Sequence, residues 1–213
     1  MASGRSRLVC AITLLACVVG YAPAVSAQGF EIAPIYGYRF GGDFFELLSG
    51  KPLDIDGAST LGVVVNIPTR DGFQVEGLFS HQRANALVPI FPAGPPIPWQ
   101  FTVDHYQSGG LQEYDIGRPK VRPFLTGTLG LTRYAADGDN EIRFTVGAGG
   151  GVKLFPTRHV GLRLDGRLFI TFVDADVALF GCSTFGPNTG CVIAFNTNTV
   201  WQMEFSAGLV VKF

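Results

Sequence analysis

Charge is scarce in this chain. Only 15% of its 213 residues are Asp, Glu, Lys or Arg, and 16 basic groups nearly balance 17 acidic ones. A net charge of −1 leaves no basic footprint for a nucleic-acid partner. Long apolar runs are also missing beyond the N-terminus. Gly, Pro, Asn or a charge interrupts each stretch well before the ~18 residues that a spanning helix needs, which excludes a multi-span helical protein. Yet 47% of the residues are hydrophobic and the mean hydropathy is +0.28. The low charge combined with 12% aromatic residues argues against disorder. A compact β protein and a membrane β-barrel remain.

The one helix-length apolar run reads as an address. Arg5 and Arg7 precede the apolar stretch Leu8 to Val19, Pro23 breaks any helix, and Val25-Ser26-Ala27 offers small residues for a signal peptidase. The expected organisation is a signal peptide over residues 1–27 and one barrel domain over 28–213, with cleavage after Ala27. The competing reading is a lipobox at Leu14 to Cys17 with Cys17 acylated. Export leaves Cys182 and Cys191, nine positions apart in a Gly/Ser/Asn/Pro-rich segment, in an oxidising compartment. A disulfide between them is expected. No His or acid lies between the two thiols, so no metal site is expected, and nothing in the sequence calls for a cofactor.

Alternation with period two recurs along the remaining chain. Phe30, Ile32, Tyr36, Tyr38 and Phe40 share a face against Glu31, Ala33, Gly37, Arg39 and Gly41. Leu61, Val63, Val65 and Ile67 alternate with Thr60, Gly62 and Asn66, and Phe73, Val75 and Phe79 with Gln74, Glu76 and Ser80. Leu125, Leu129 and Leu131 oppose Thr126, Thr128 and Thr132, and Ile142, Phe144 and Val146 oppose Arg143, Thr145 and, further on, Lys153. Leu162, Leu164, Leu168 and Ile170 oppose Arg163, Asp165, Arg167 and Thr171. In the last segment Trp201, Met203, Phe205, Leu209, Val211 and Phe213 oppose Gln202, Glu204, Ser206 and Lys212. The fourth segment, 100–114, is ambiguous: Phe101, Val103, His105 and Leu111 stand against Thr102, Asp104, Tyr106 and Gln112. A bulge at Gly109-Gly110 would shift its register.

Eight segments of roughly 10 to 15 residues meet the ~9–11 tilted residues that a strand needs to cross a bilayer. Short connections (68–72, 115–122, 156–159) alternate with long ones (43–56, 83–98, 174–196) and one of moderate length (135–140). This asymmetry predicts an all-β, eight-stranded antiparallel up-and-down transmembrane barrel. A water-soluble eight-stranded barrel would carry the same alternation with its faces reversed. Eight strands enclose a lumen just wide enough for side chains to fill, and charges placed there must pair. Cross-lumen pairs are expected among Glu76, Arg143, Arg163, Asp165, Arg167 and Glu204.

Several other features lead back to structure. The run Gly147 to Gly151 has no helix after it, so it fails as a phosphate loop and reads as a bend or a close approach within a strand. Asp137 to Glu141 lacks the length of a calcium loop and reads as a hairpin turn. His81, Asp104, His105 and Ser108 invite a catalytic reading, but Asp104 and His105 are sequential and point to opposite faces, so no enzyme is expected. The apolar, proline-rich stretch Ala86 to Trp99 predicts a stiff loop. Its Val88, Ile90, Phe91, Ile97 and Trp99 form either a binding surface or an interfacial belt.

The C-terminal stretch Phe205-Ser206-Ala207-Gly208-Leu209-Val210-Val211-Lys212-Phe213 resembles the terminal strand of Gram-negative outer-membrane barrels. Ala33 to Tyr38, Arg122-Pro123-Phe124 and Gly161 to Arg167 add to the likeness. Together these pieces look like the small eight-stranded family, within the porin family at large, that includes the outer-membrane protein A barrel and opacity-type surface antigens. The resemblance implies that the barrel-assembly machinery reads Phe205, Leu209, Val211 and Phe213. It also implies outer-membrane lipid and lipopolysaccharide as surroundings; the long loops themselves offer a site for an extracellular ligand. The expected function is a barrel with a mostly plugged polar lumen and surface-exposed loops. The alternatives are a narrow gated channel for small solutes or ions and a lipid A-modifying enzyme.

Overall fold

The computed structural model describes residues 29–46, 52–54, 57–90, 94–136, 139–173, 178–183, 190–194 and 199–213. In chain order the strands are β1 (Glu31–Phe40), β2 (Asp43–Glu46), β3 (Pro52–Asp54), β4 (Ala58–Pro68), β5 (Phe73–Ile90), β6 (Gly94–Glu113), β7 (Val121–Ala136), β8 (Asp139–Leu154), β9 (Val160–Phe172), β10 (Ala178–Ser183), β11 (Gly190–Ala194) and β12 (Thr199–Lys212). Eight of them close a barrel in the order β1-β12-β9-β8-β7-β6-β5-β4, each antiparallel to its neighbours. The order is the sequence order closed on itself, as an up-and-down barrel requires. The signal segment and Cys17 lie outside the described residues.

The seam is closed by the first and last strands. β1 and β12 pair from Glu31↔Lys212 to Phe40↔Met203. The Phe213 amide donates to the Phe30 carbonyl at 2.9 Å, and the two rings stack with centroids 4.7 Å apart. Three short turns share this end of the barrel. The tightest is Arg70-Asp71-Gly72-Phe73, where Asp71 (φ 52°) and Gly72 (φ 79°) both sit in the left-handed region and the Phe73 amide closes on the Arg70 carbonyl at 2.8 Å. An Asp-Gly pair at the centre of a two-residue hairpin supplies that geometry.

The burial pattern decides which face is which. Leu61, Leu125, Leu129 and Leu209, all on the outer face, are 58–62% exposed, whereas inward-facing Arg39, Glu76 and Lys153 are 0% exposed. A soluble barrel would have these reversed, since charged residues are almost never fully buried unless paired. The fourth barrel strand, β6, keeps one register against β7: Gly109↔Thr128 and Gly110↔Gly127 pair without a bulge. Its Phe101, Val103, His105 and Leu111 face inward and Tyr106 faces out, so this strand points much of its apolar side into the barrel.

Two expectations about connections are corrected. The proline-rich stretch is not a loop. β5 and β6 run on past the barrel as a hairpin with Ala86↔Trp99, Leu87↔Pro98 and Val88↔Ile97, shifting register before Ile90↔Gly94. Apolar and β-branched residues on both arms let the ladder continue. Phe91 lies outside the described residues, and for Val88, Ile90, Ile97 and Trp99 only the backbone is described. The first and last long connections also carry structure: β2, β3, β10 and β11 form a second sheet in the order β10-β11-β2-β3. Its register sets Cys182 directly opposite Cys191.

Candidate functional site in the barrel interior

Charged side chains meet inside the barrel in three groups. The central one spans the lumen. Arg163, from β9, donates from Nη2 to Glu76 Oε2 on β5 at 2.8 Å, and Arg167 Nη1 reaches Glu76 Oε1 at 2.9 Å. β9 and β5 are diametrically opposite in the strand order. Asp165 lies between the two arginines, accepting from Arg163 Nε at 2.7 Å and Arg167 Nη2 at 3.2 Å. Asn66, Thr126 and Ser206 complete the carboxylates: Asn66 Nδ2 donates to Glu76 at 3.3 Å, Thr126 Oγ1 to Glu76 at 2.8 Å, and Ser206 Oγ to Asp165 at 2.6 Å. Each buried carboxylate thus faces two guanidinium groups and at least one neutral donor, the condition under which buried charge is tolerated.

Glycine makes the room. The inward positions of β8 opposite the charged row of β9 are Gly149↔Arg167 and Gly151↔Asp165. A Cβ at Gly149 would meet the Gly166 carbonyl oxygen and come within 2.9 Å of Arg167 Cγ, and one at Gly151 would meet the Leu164 carbonyl oxygen and come within 2.7 Å of Asp165 Cβ. The Gly147 to Gly151 run is therefore a strand interior cut down to admit the backbone and side chains of β9.

Towards the short-turn end, Lys153 Nζ bonds Glu31 Oε2 at 2.6 Å, Glu113 Oε1 at 2.7 Å and Gln74 Oε1 at 2.8 Å. Glu31 and Glu113 also line a cavity of about 600 Å³ that opens at this end, so the Lys153 group sits at its inner limit. Towards the other end, Arg39 binds Glu204 Oε2 through Nε at 2.9 Å and Nη2 at 2.6 Å, and Ser80 Oγ donates to the same oxygen at 2.8 Å. Aromatic rings accompany the ionic groups. The Phe124 ring lies 4.5 Å from Arg163 Cζ and 5.9 Å from Lys153 Nζ. Phe169 stacks on His105 at 4.2 Å with Arg39 Cζ 5.7 Å from its centroid. These cation–π contacts fill apolar space while still favouring the cations.

Four of the six expected lumen residues, Glu76, Arg163, Asp165 and Arg167, form one network. Glu204 belongs to the Arg39 group instead. Arg143 lies further out, 3.4 Å from Glu141 and 16% exposed. Arg39, Lys153, Glu31 and Glu113 complete the interior. The first three show the alternation that marks inward positions, but alternation within one strand cannot say which strand a charge will meet.

Of the residues weighed as catalytic, His105 separates from the others. His105 faces inward, with Nδ1 2.6 Å from Thr132 Oγ1. His81 and Asp104 face outward and do meet, Nδ1 to Oδ1 at 2.5 Å. Ser108 stands two outward positions further along β6, opposite Gly77. Among the described residues no group of three metal-ligating side chains is present.

Solved structures share this fold. Neisserial surface protein A is 15% identical, over 86% of this chain and 97% of its own, with a TM-score of 0.55. The outer membrane protein OprG of Pseudomonas aeruginosa is 12% identical over 87% and 96%, with a TM-score of 0.58. The outer membrane protein AlkL, solved in DMPC lipid bilayers, is 15% identical over 90% and 94%, with a TM-score of 0.53. No family model and no curated protein matches the sequence. The chain therefore has the eight-stranded barrel fold of small outer-membrane proteins.

Proposed function

We propose that the chain is a non-enzymatic outer-membrane barrel whose interior is closed by ion-paired side chains and whose long-loop end meets partners outside the cell. The observation that carries this is the inversion of ordinary burial: leucines exposed on the outside, paired Arg, Lys and Glu at 0–4% exposure within. Only a non-aqueous surround makes that arrangement favourable. In this reading the short-turn end, where Phe30 meets Phe213, faces the periplasm. The hairpin of β5 and β6 and the sheet of β2, β3, β10 and β11 stand on the opposite, extracellular side. Phe205, Leu209, Val211 and Phe213 line the outer face of the closing strand, where assembly factors can read them.

A narrow gated channel is the second reading. It draws on the central network, where Arg163 and Arg167 each already contact both Glu76 and Asp165, so partners can exchange without any group becoming unpaired. Planar-bilayer recording separates the two. A plugged barrel gives no unitary conductance in wild type. Discrete openings altered by Glu76→Ala would support the channel and overturn the plug.

A further inference from the structure

The outer face of an outer-membrane barrel should be apolar wherever it meets hydrocarbon, and among the described residues one cluster of charged side chains departs from that. His81, Asp104 and Arg133 stand directly opposite one another on β5, β6 and β7 (His81↔Asp104, Asp104↔Arg133), all pointing outward. Asp104 is only 5% exposed although it faces out of the barrel, because its two neighbours cover it. His81 Nδ1 lies 2.5 Å from Asp104 Oδ1 and Arg133 Nη1 lies 3.7 Å from Oδ2. Arg133 is further fixed by Nε donating to Asn140 Oδ1 at 2.7 Å. One position nearer the long-loop end, exposed Arg83 sits opposite Thr102. One position the other way, the row is Phe79, Tyr106, Leu131 and Phe144, aromatic and aliphatic throughout.

The cluster therefore stands at a boundary, with an apolar row on its membrane side and charged groups above. Its carboxylate holds an imidazole and a guanidinium in place and turns His81 Nε2 and the remaining Arg133 donors away from itself. With Arg83 beside them, two guanidinium groups face a single acid. A planar guanidinium fork pre-positioned by hydrogen bonds suits a phosphate monoester. The apolar row directly beside the cluster offers acyl chains a seat, which favours a headgroup already held in the leaflet over a soluble phosphate compound.

We propose that His81, Arg83 and Arg133, organised by Asp104, form a binding site for the phosphorylated headgroup of an outer-leaflet glycolipid, with its acyl chains lying on Phe79, Tyr106, Leu131 and Phe144. The inference rests on the membrane reading above. The test uses the full-length protein refolded in detergent micelles and titrated with bisphosphorylated lipid A or its dephosphorylated form, with bound lipid counted by native mass spectrometry. Wild type should prefer the phosphorylated lipid by about tenfold or more, the scale of one or two charge-assisted contacts. R83A/R133A should lose that preference, and R70A, altered in a short turn at the far end, should keep it. Folding of each variant is checked by heat-modifiable mobility. Should R83A/R133A misfold, the exposed single variant R83E must still weaken phosphorylated-lipid binding. Equal retention of both lipids by wild type, or an unchanged preference in a folded variant, would overturn the site. Competition by millimolar inorganic phosphate as effective as lipid would overturn its assignment to a lipid. Insertion into phospholipid vesicles lacking lipid A is scored separately: failure there sinks the membrane reading, whereas insertion without lipid preference sinks the site alone.

Discussion

Arg163 and Glu76 meet across the full width of the barrel, 2.8 Å from Nη2 to Oε2, although they lie 87 positions apart in the chain. The same carboxylate binds Arg167. Glu76→Ala would therefore leave two buried guanidinium groups with Asp165 as their one remaining carboxylate. Removing one partner of a buried pair costs about 3–5 kcal/mol, because the remaining charge is left uncompensated. Urea unfolding in lipid vesicles should show a loss of that size for Glu76→Ala. Replacing Glu76 and Arg163 together by apolar residues of similar volume should cost less than Glu76→Ala alone. A loss below ~1 kcal/mol in the single variant would show that water reaches and screens the site.

Glycine positions give a second expectation, sharp because neighbouring strand positions behave oppositely. A Cβ added at inward-facing Gly130 would meet the backbone carbonyl of Tyr106, while one at outward-facing Gly127 finds nothing within 4 Å. Backbone cannot yield as a flexible side chain can. Gly130→Ala is expected to lower the yield of folded, heat-modifiable barrel, and Gly127→Ala to leave it unchanged. Equal behaviour of the two would contradict the register of β6 against β7.

The sheet outside the barrel gives the third. Directly paired residues on antiparallel strands have Cα atoms roughly 4.5–5.5 Å apart, within the span that a disulfide bridges, about 4.4–6.8 Å. With Cys182 opposite Cys191 in register, protein isolated without reductant should resist maleimide labelling at both positions. After reduction both should react. Free labelling before reduction would show that no bridge forms.

Much of this fold is legible in the sequence because a strand's two faces alternate strictly. Leu129 and Thr128 on opposite faces could be read from the chain, and so could Arg163, Asp165 and Arg167 on a single row; burial decides which face is out. Four features could not be read from the chain. The facing of β6 was ambiguous because both of its faces mix apolar and polar groups, and only pairing with β5 and β7 fixes Phe101 and Leu111 inward. The strands β2 and β3 are four and three residues long, too short for any period to show. Arg39 finds Glu204 because the first and last strands pair with these two residues directly opposite, and Lys153 finds Glu31 across the lumen; both are properties of the closed sheet and not of any one segment. The His81–Asp104 contact escaped for the same reason: the two residues share a face only once β5 and β6 are in register.

The central claim is that the leucine row of β7 faces lipid and the threonine row faces the lumen. Single spin labels placed at Leu125, Thr126, Gly127, Thr128, Leu129 and Leu131 in vesicle-inserted protein test it directly, through collision with dissolved oxygen, which concentrates in hydrocarbon. Oxygen accessibility should alternate with period two and peak at Leu125, Gly127, Leu129 and Leu131. Peaks at Thr126 and Thr128, or no alternation at all, would contradict it.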